Sequence, residues 1–421
     1  MPKKSWFVLI AAVVLTVTVV AVGGGGTLWY WLLALRSSSQ TSWPTPKPSE
    51  VTIPFELANK HVMLKVTVNN SRPLWFVLDT GDKFAIIDLD RAKELGLALR
   101  GEISVAGAGA QLDTGAFVKD STFSLPGFAG FSQPLTLAIH LKKLAPRFGQ
   151  DFDGIIGSEF IKQFVLELDY QARVIKLHDQ DKFVYSGPGE SVPSHLNHMG
   201  HLTFEAEVTS IGSGPIRGEF VLDIGSSGSL TLHSPFVAEH HLPGPNVKTI
   251  KGGSAGAGGE TKGQLGRVSE FKMGKFKLSN VITLFSEDKA GALASPTIQG
   301  SVGEEVLSKF KIFLDYRHDH IILETNATFA EAFDRASSGL RIEAEGKDYR
   351  TFRITEVLEN SPGSEAGLQK NDIINAIDER PASELTLTNL GELFERPVSY
   401  RLTVGRGGQI LTVTLTPRNL V

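Results

Sequence analysis

The chain has no cysteine among its 421 residues. That excludes disulfides, thiol nucleophiles and cysteine-based metal sites, and it leaves the redox compartment open, since a protein without thiols suits either. Excess charge of one sign is also missing. Lys and Arg number 42 against 46 Asp and Glu, a formal net charge of −4, with both signs mixed along the chain. No basic stripe is present to hold nucleic acid, which argues against such a partner. No nucleophilic serine elbow appears. The Gly-rich run from Gly253 to Gly259 is not followed by Gly-Lys-Ser/Thr, so it is no phosphate cradle. No cofactor is expected. Apolar residues are plentiful, at 41% with 21% charged, enough to build packed cores rather than a disordered chain.

One long hydrophobic run stands out. Lys3 and Lys4 precede an uncharged stretch from Ser5 to Leu35, closed by Arg36. Crossing a bilayer takes about 20 apolar residues, and positive charge before a span favours a cytoplasmic N-terminus. Residues 1–36 are therefore expected to form a signal-anchor, with Trp29-Tyr30-Trp31 as an interfacial belt and the body facing the periplasm or another extracytoplasmic side. The rival reading is a signal peptide cut near Ala21-Val-Gly23, leaving a secreted protein. Both export the rest. Residues 37–50, rich in Ser and Pro, read as an extended linker.

From Val51 onward, short runs of period two alternate with turn residues, as in His61-Val-Met-Leu-Lys-Val-Thr-Val68 and Leu74-Trp-Phe-Val-Leu78. This predicts a mainly β body. Within it lies an internal repeat. Phe76-Val-Leu-Asp-Thr-Gly81 returns as Phe220-Val-Leu-Asp-Ile-Gly225. Val105-Ala-Gly-Ala-Gly-Ala110 returns as Ser254-Ala-Gly-Ala-Gly-Gly259. Asp153-Gly-Ile-Ile-Gly157 and Leu168-Asp-Tyr170 return as Gln299-Gly-Ser-Val-Gly303 and Leu314-Asp-Tyr316. Four features in one order at a near-constant offset mark a duplicated domain. The division is a first lobe over 51–180, a connector over 181–200, a second lobe over 201–325, a connector over 326–338 and a third unit over 339–421. Helices are expected from Asp88 to Leu95, stopped by Gly96, after Ser234 as N-cap with Pro235 at the first helical position, and near Glu384–Phe394.

An apolar strand ending in Asp-Thr-Gly suits a catalytic corner. The strand delivers a carboxylate to the edge of a buried face, and Gly81 permits the turn. Two such corners facing each other bring two carboxylates around one water, and like charges that close cannot both ionise. Residues 51–325 resemble a tandem retropepsin-like aspartic protease of the bacterial type, distantly similar to pepsin, giving a bilobal fold of acid-protease-like β domains. The resemblance implies Asp79 and Asp223 as the catalytic pair, Thr80, Gly81, Gly225 and Ser226 as turn supports, and flaps near Gly107 and Gly109 and near Gly256 and Gly258. With both aspartates in one chain, a monomer suffices for catalysis. Two positions depart from the pattern. Ile224 stands where the family has Thr or Ser and cannot complete a reciprocal hydroxyl bond with Thr80. Asp82 stands where a small or hydroxylated residue is usual, and would either push the site towards protonation or turn outward.

The third unit resembles a PDZ domain. Ser361-Pro-Gly-Ser-Glu-Ala-Gly-Leu368 followed by Asn371-Asp-Ile-Ile374 carries the likeness, with Asn371 in place of the usual glycine. It implies a loop at Gly339, Leu340, Arg341 and Ile342 that receives a peptide carboxylate, with Leu340–Glu345 as an exposed edge for β-addition. His195, His198 and His201 are three apart, but a connector and a strand opening give no frame for zinc, so no metal site is assigned. The expected function is hydrolysis of peptide or protein substrates, with the PDZ unit assisting substrate or partner binding. The alternatives are a catalytically weak peptide-binding scaffold and a PDZ-centred membrane-associated interaction protein.

Overall fold

The computed structural model describes residues 18–20, 48–106, 112–197, 200–253, 255–256, 259–334 and 336–421. The body is mainly β, as its alternation predicts. In the first lobe, strand Leu74–Leu78 runs parallel to Gly154–Ile156, which pairs on its other side with Ile86–Asp88. The second lobe repeats this: Pro215–Leu222 runs parallel to Gly300–Val302, flanked by Leu230–Leu232. The repeated Phe and Gly explain each other. A Cβ on Gly154 would lie under 3.0 Å from the Phe76 ring, and one on Gly300 would lie 2.8 Å from that of Phe220. Each glycine leaves room for the phenylalanine that anchors the strand carrying the aspartate.

The lobes are joined through one sheet. Its strands run in the order Glu190–Leu196, His320–Thr325, Phe310–Asp315, Val165–Asp169, Val174–His178, Glu50–Pro54. Val165–Asp169 of the first lobe and Phe310–Asp315 of the second pair antiparallel at the centre. The strands that lead into the Leu-Asp-Tyr repeats thus pair across the junction, with the repeats at opposite ends: Asp169 lies opposite Lys311 and Asp315 opposite Val165. Leu166, Leu168, Ile312 and Leu314 belong to a single buried cluster that spans both lobes, so neither lobe closes its core alone. The segment between the lobes is itself partly strand: Glu190–Leu196 pairs with His320–Thr325 and with Leu202–Thr209.

Helices are short. Leu89–Glu94 begins at Asp88, whose carboxylate accepts the N–H groups of Asp90 and Arg91, and ends before Gly96 at φ +66°. The second-lobe helix Ser234–Glu239 is capped one residue earlier than expected, by His233. Ser234 is already helical, and its hydroxyl donates to the carbonyls of Asp288 and Leu293. A nearby loop competes for the side chain that local sequence assigns to the cap.

The third unit has its own core and a sheet ordered Leu340–Glu345, Thr351–Val357, Ile373–Ile377, Tyr400–Arg406, Gln409–Leu415. Its helix begins at Leu387 rather than Glu384, because Thr386 and Asn389 form a reciprocal cap there; it ends at Phe394. Asn371 has φ +74°, a left-handed conformation that asparagine tolerates where glycine is the commoner choice. The unit is fastened to the first lobe. The Asn59 N–H donates to Thr388 Oγ1 at 3.0 Å, Lys60 pairs with Glu395 at 2.8 Å, and Arg147 pairs with Glu343 at 3.0 Å. Arg267 of the second lobe donates to the Val421 carbonyl.

Among the described residues, no helix is long and apolar enough to cross a membrane. The expected signal-anchor lies outside them, apart from Thr18–Val20, a strand paired with Ala106–Ser104.

Candidate active site

The two Asp-x-Gly turns follow equivalent strands and are held alike. The Asp79 N–H donates to the Ile156 carbonyl and that of Asp223 to the Val302 carbonyl, both at 3.0 Å. The Ser158 N–H donates to the Asp82 carbonyl at 2.7 Å, and the Glu304 N–H to that of Ser226 at 2.8 Å. Each aspartate is thereby locked between the end of its strand and the start of a short helix. Both have 0% exposure.

The turns press against each other. A Cβ on Gly225 would fall under 3.0 Å from Cγ of Asp79, so glycine is required there for close approach. Thr80 crosses the junction twice: its hydroxyl donates to the Leu222 carbonyl at 2.6 Å and accepts the Ile224 N–H at 2.9 Å. Ile224 returns no such bond and packs, fully buried, into the apolar cluster. The sequence-based expectation that reciprocity fails therefore holds on one side only, since Thr80 alone supplies two bonds.

The carboxyls differ in their surroundings. Asp79 Oδ1 accepts the Gly81 N–H at 2.7 Å. Asp79 Oδ2 and both Asp223 oxygens make no well-aligned hydrogen bond. Beside them lie backbone amides and the opposite carboxyl, with which a hydrogen bond forms if one of the two keeps a proton. Burial pushes both groups above the ordinary carboxylate range, and for Asp223 the charge of Asp79 adds to the push. The Gly81 and Asp82 amides pull Asp79 partly back. The Gly225 and Ser226 amides do the same for Asp223.

Asp82 is 1% exposed and so does not turn outward. Its backbone amide favours the charged form of Asp79. Ser226 is buried too, at 5% exposure. The flap candidates Gly107, Gly109 and Gly258 lie outside the described residues. Gly256 pairs with Gly259 in a short hairpin, Ala255–Gly256 with Gly259–Glu260. Glu260 of that hairpin lies 3.8 Å from Arg147 and 3.7 Å from Arg341.

Two residues near the pair were not assigned a role from sequence. Tyr170 and Tyr316, the ends of the repeated Leu-Asp-Tyr, are buried, and their hydroxyls have no hydrogen-bond partner. Burial raises both, with smaller pushes from the charges of Glu304 and Asp223 on Tyr170 and of Asp79 on Tyr316.

In the third unit, Gly339, Leu340, Arg341 and Ile342 lie at the start of the edge strand. The Gly339 N–H donates to Ser337 Oγ at 3.1 Å and the Leu340 N–H to Ser338 Oγ at 3.2 Å. Among the described residues, no group of three or more His, Asp and Glu is placed to hold a metal. His195 lies 2.9 Å from Glu219, and His198 is outside the described residues.

Two β lobes that each deliver one buried aspartate to a shared junction define an acid-protease architecture. The aspartyl protease family matches residues 64–160 and again 206–306, and the PDZ domain matches 329–405. The chain thus carries two aspartyl-protease segments in tandem followed by a PDZ domain. No curated protein matches it.

Proposed function

We propose that the chain is an aspartic-type endopeptidase whose catalytic pair is Asp79 and Asp223. The contact of Gly225 with the Asp79 carboxyl carries the reading, because it brings both carboxyls into one buried space. The Gly81 amide favours charge on Asp79, so Asp79 is the base. Asp223, raised by burial and by its neighbour, holds the proton. A water between them gives a proton to Asp79 as its oxygen attacks the peptide carbonyl carbon, while Asp223 gives its proton to the carbonyl oxygen. Collapse of the tetrahedral intermediate breaks the C–N bond: Asp79 gives its proton to the departing amine, and Asp223 takes back a proton from the hydroxyl that becomes the carbonyl. One chain supplies both groups, so the working unit is a monomer. The PDZ domain assists by holding substrate or partner. The Lys3–Lys4 and apolar N-terminal pattern supports an exported, membrane-anchored placement facing the periplasm or another extracytoplasmic side, testable by protease accessibility in intact cells.

The test is cleavage of a mixed peptide library by the purified chain, with and without Asp79→Asn and Asp223→Asn. Each substitution should lower kcat by about 10³-fold. Cleavage that survives both sinks the mechanism. Peptides bound but uncut by the unaltered chain favour the scaffold reading, which the missing hydroxyl at Ile224 supports.

A further inference from the structure

The PDZ domain shares a cavity with the segment that follows the Asp223 turn. A cavity of about 550 Å³ is walled on one side by Ser226 to Thr231, the segment directly after the second catalytic turn, and on the other by Leu340, Ile342, Leu390 and Phe394 of the PDZ domain. That volume lies in the range of ordinary ligand sites. Strand Leu340–Glu345 ends its sheet, pairing on one side with Thr351–Val357 and with no strand on the other among the described residues. The first-lobe helix Ala145–Phe148 packs against it, with Arg147 paired to Glu343, and leaves Leu340, Arg341 and Ile342 facing the cavity. A sheet edge accepts an extended peptide as an added strand.

Gly391 also lines this cavity, inside the helix Leu387–Phe394. Glycine weakens a helix interior, and nothing in the packing demands it here: an added Cβ would meet no atom within 4 Å. Its effect is to leave the groove open. Meanwhile the Gly339 and Leu340 amides are bonded to Ser337 and Ser338 of their own loop. Donors that would hold a terminal carboxylate are already engaged, which favours a chain that passes through over one that ends there. The contacts of Asn59, Lys60 and Arg147 with the PDZ domain keep the two walls in register.

We infer that the PDZ groove and the protease cleft form one continuous track for an internal, extended segment of the polypeptide being cut. The segment lies along Leu340, Arg341 and Ile342 and continues past Ser226–Thr231 to the carboxyl pair. This rests on the peptidase reading, which it deepens by making the PDZ domain a distal subsite selecting long, unfolded chains.

The experiment compares octapeptides, about 26 Å when extended, with hexadecapeptides sharing the same central sequence, each with a free or an amidated C-terminus. With the full chain, Gly391→Leu should lower the hexadecapeptide-to-octapeptide ratio of kcat/KM about tenfold, through KM. Gly391→Ala should lower it less, and amidation should change neither. The Tm of both variants should equal or exceed that of the unaltered chain, which separates a filled groove from a damaged fold. A ratio unmoved by Gly391→Leu, or a preference for long peptides that needs a free carboxylate, overturns the track. Fluorescence anisotropy of the same labelled peptides on the Asp79→Asn chain reads binding without hydrolysis. A length preference there that Gly391→Leu removes supports the track even if no peptide is ever cut, and its absence rejects the track while leaving the hydrolytic reading intact.

Discussion

Thr80 and Ile224 occupy the same place in the two lobes, and the contrast between them shows how a duplicated site tolerates asymmetry. The surrounding backbone is nearly identical: the same strand pairing, the same amide-to-carbonyl bonds before and after the turn. Only the side chains differ. Thr80 bonds a carbonyl and an amide of the opposite turn, whereas Ile224 contributes apolar burial. One hydroxyl therefore does the bridging for both lobes. The second lobe is free to spend its position on packing, because each donor and acceptor facing Thr80 is already satisfied.

The comparison can be broken most directly at Thr80. Thr80→Val keeps the shape but leaves the Leu222 carbonyl and the Ile224 amide unpaired in a buried junction. The cost is about 1–3 kcal/mol for each group, read as a lowered denaturation midpoint at constant slope, with a parallel loss of kcat. Ile224→Thr should change stability by about 1 kcal/mol or less, since its hydroxyl faces the equivalent first-lobe turn and can donate there. Equal effects from the two substitutions would show that the bridge is not carried by Thr80.

The carboxyl pair sharpens the comparison through pH. Both groups are raised in the folded protein above the unfolded value of about 3.9. Burial pushes Asp79 up to about 7. Between those values the folded state binds more protons than the unfolded one, so this contribution to stability is fully present below about pH 4. It is lost as pH rises towards 7 and beyond. Asp79→Asn should flatten that part of the stability profile; a slope unchanged in the variant rejects the shift. The smallest effect is expected at the PDZ contact. Lys60→Gln removes pairs with Glu305 and Glu395 that are partly exposed, and should cost about 1 kcal/mol or less. It should raise hydrogen exchange in Leu387–Phe394 without altering the Asp79 turn.

Much of the bilobal body was legible because its signals are local or repeated. Period-two alternation marked strands, and the paired Phe-Val-Leu-Asp and Asp/Gln-Gly blocks marked a duplication whose copies adopt equivalent strand pairings. The N-cap at Ser234 was misread because a distant carbonyl at Asp288 competes for its hydroxyl, a contact that no local pattern records. Of the two readings of Asp82 in sequence, burial excludes the outward turn. The burial of Tyr170 and Tyr316 was not assigned from the repeat, because it depends on how the two lobes pack.

By itself, then, the sequence determined the β character, the doubling and the PDZ unit and singled out the two aspartates as candidates, since each is written in residue type and spacing over a few positions. Only the tertiary structure decided how the two turns meet, which hydroxyl bridges them, and that the PDZ groove opens beside the second turn. Those depend on contacts between residues far apart in the chain, whose closeness comes from the packing of whole lobes and not from any stretch of sequence.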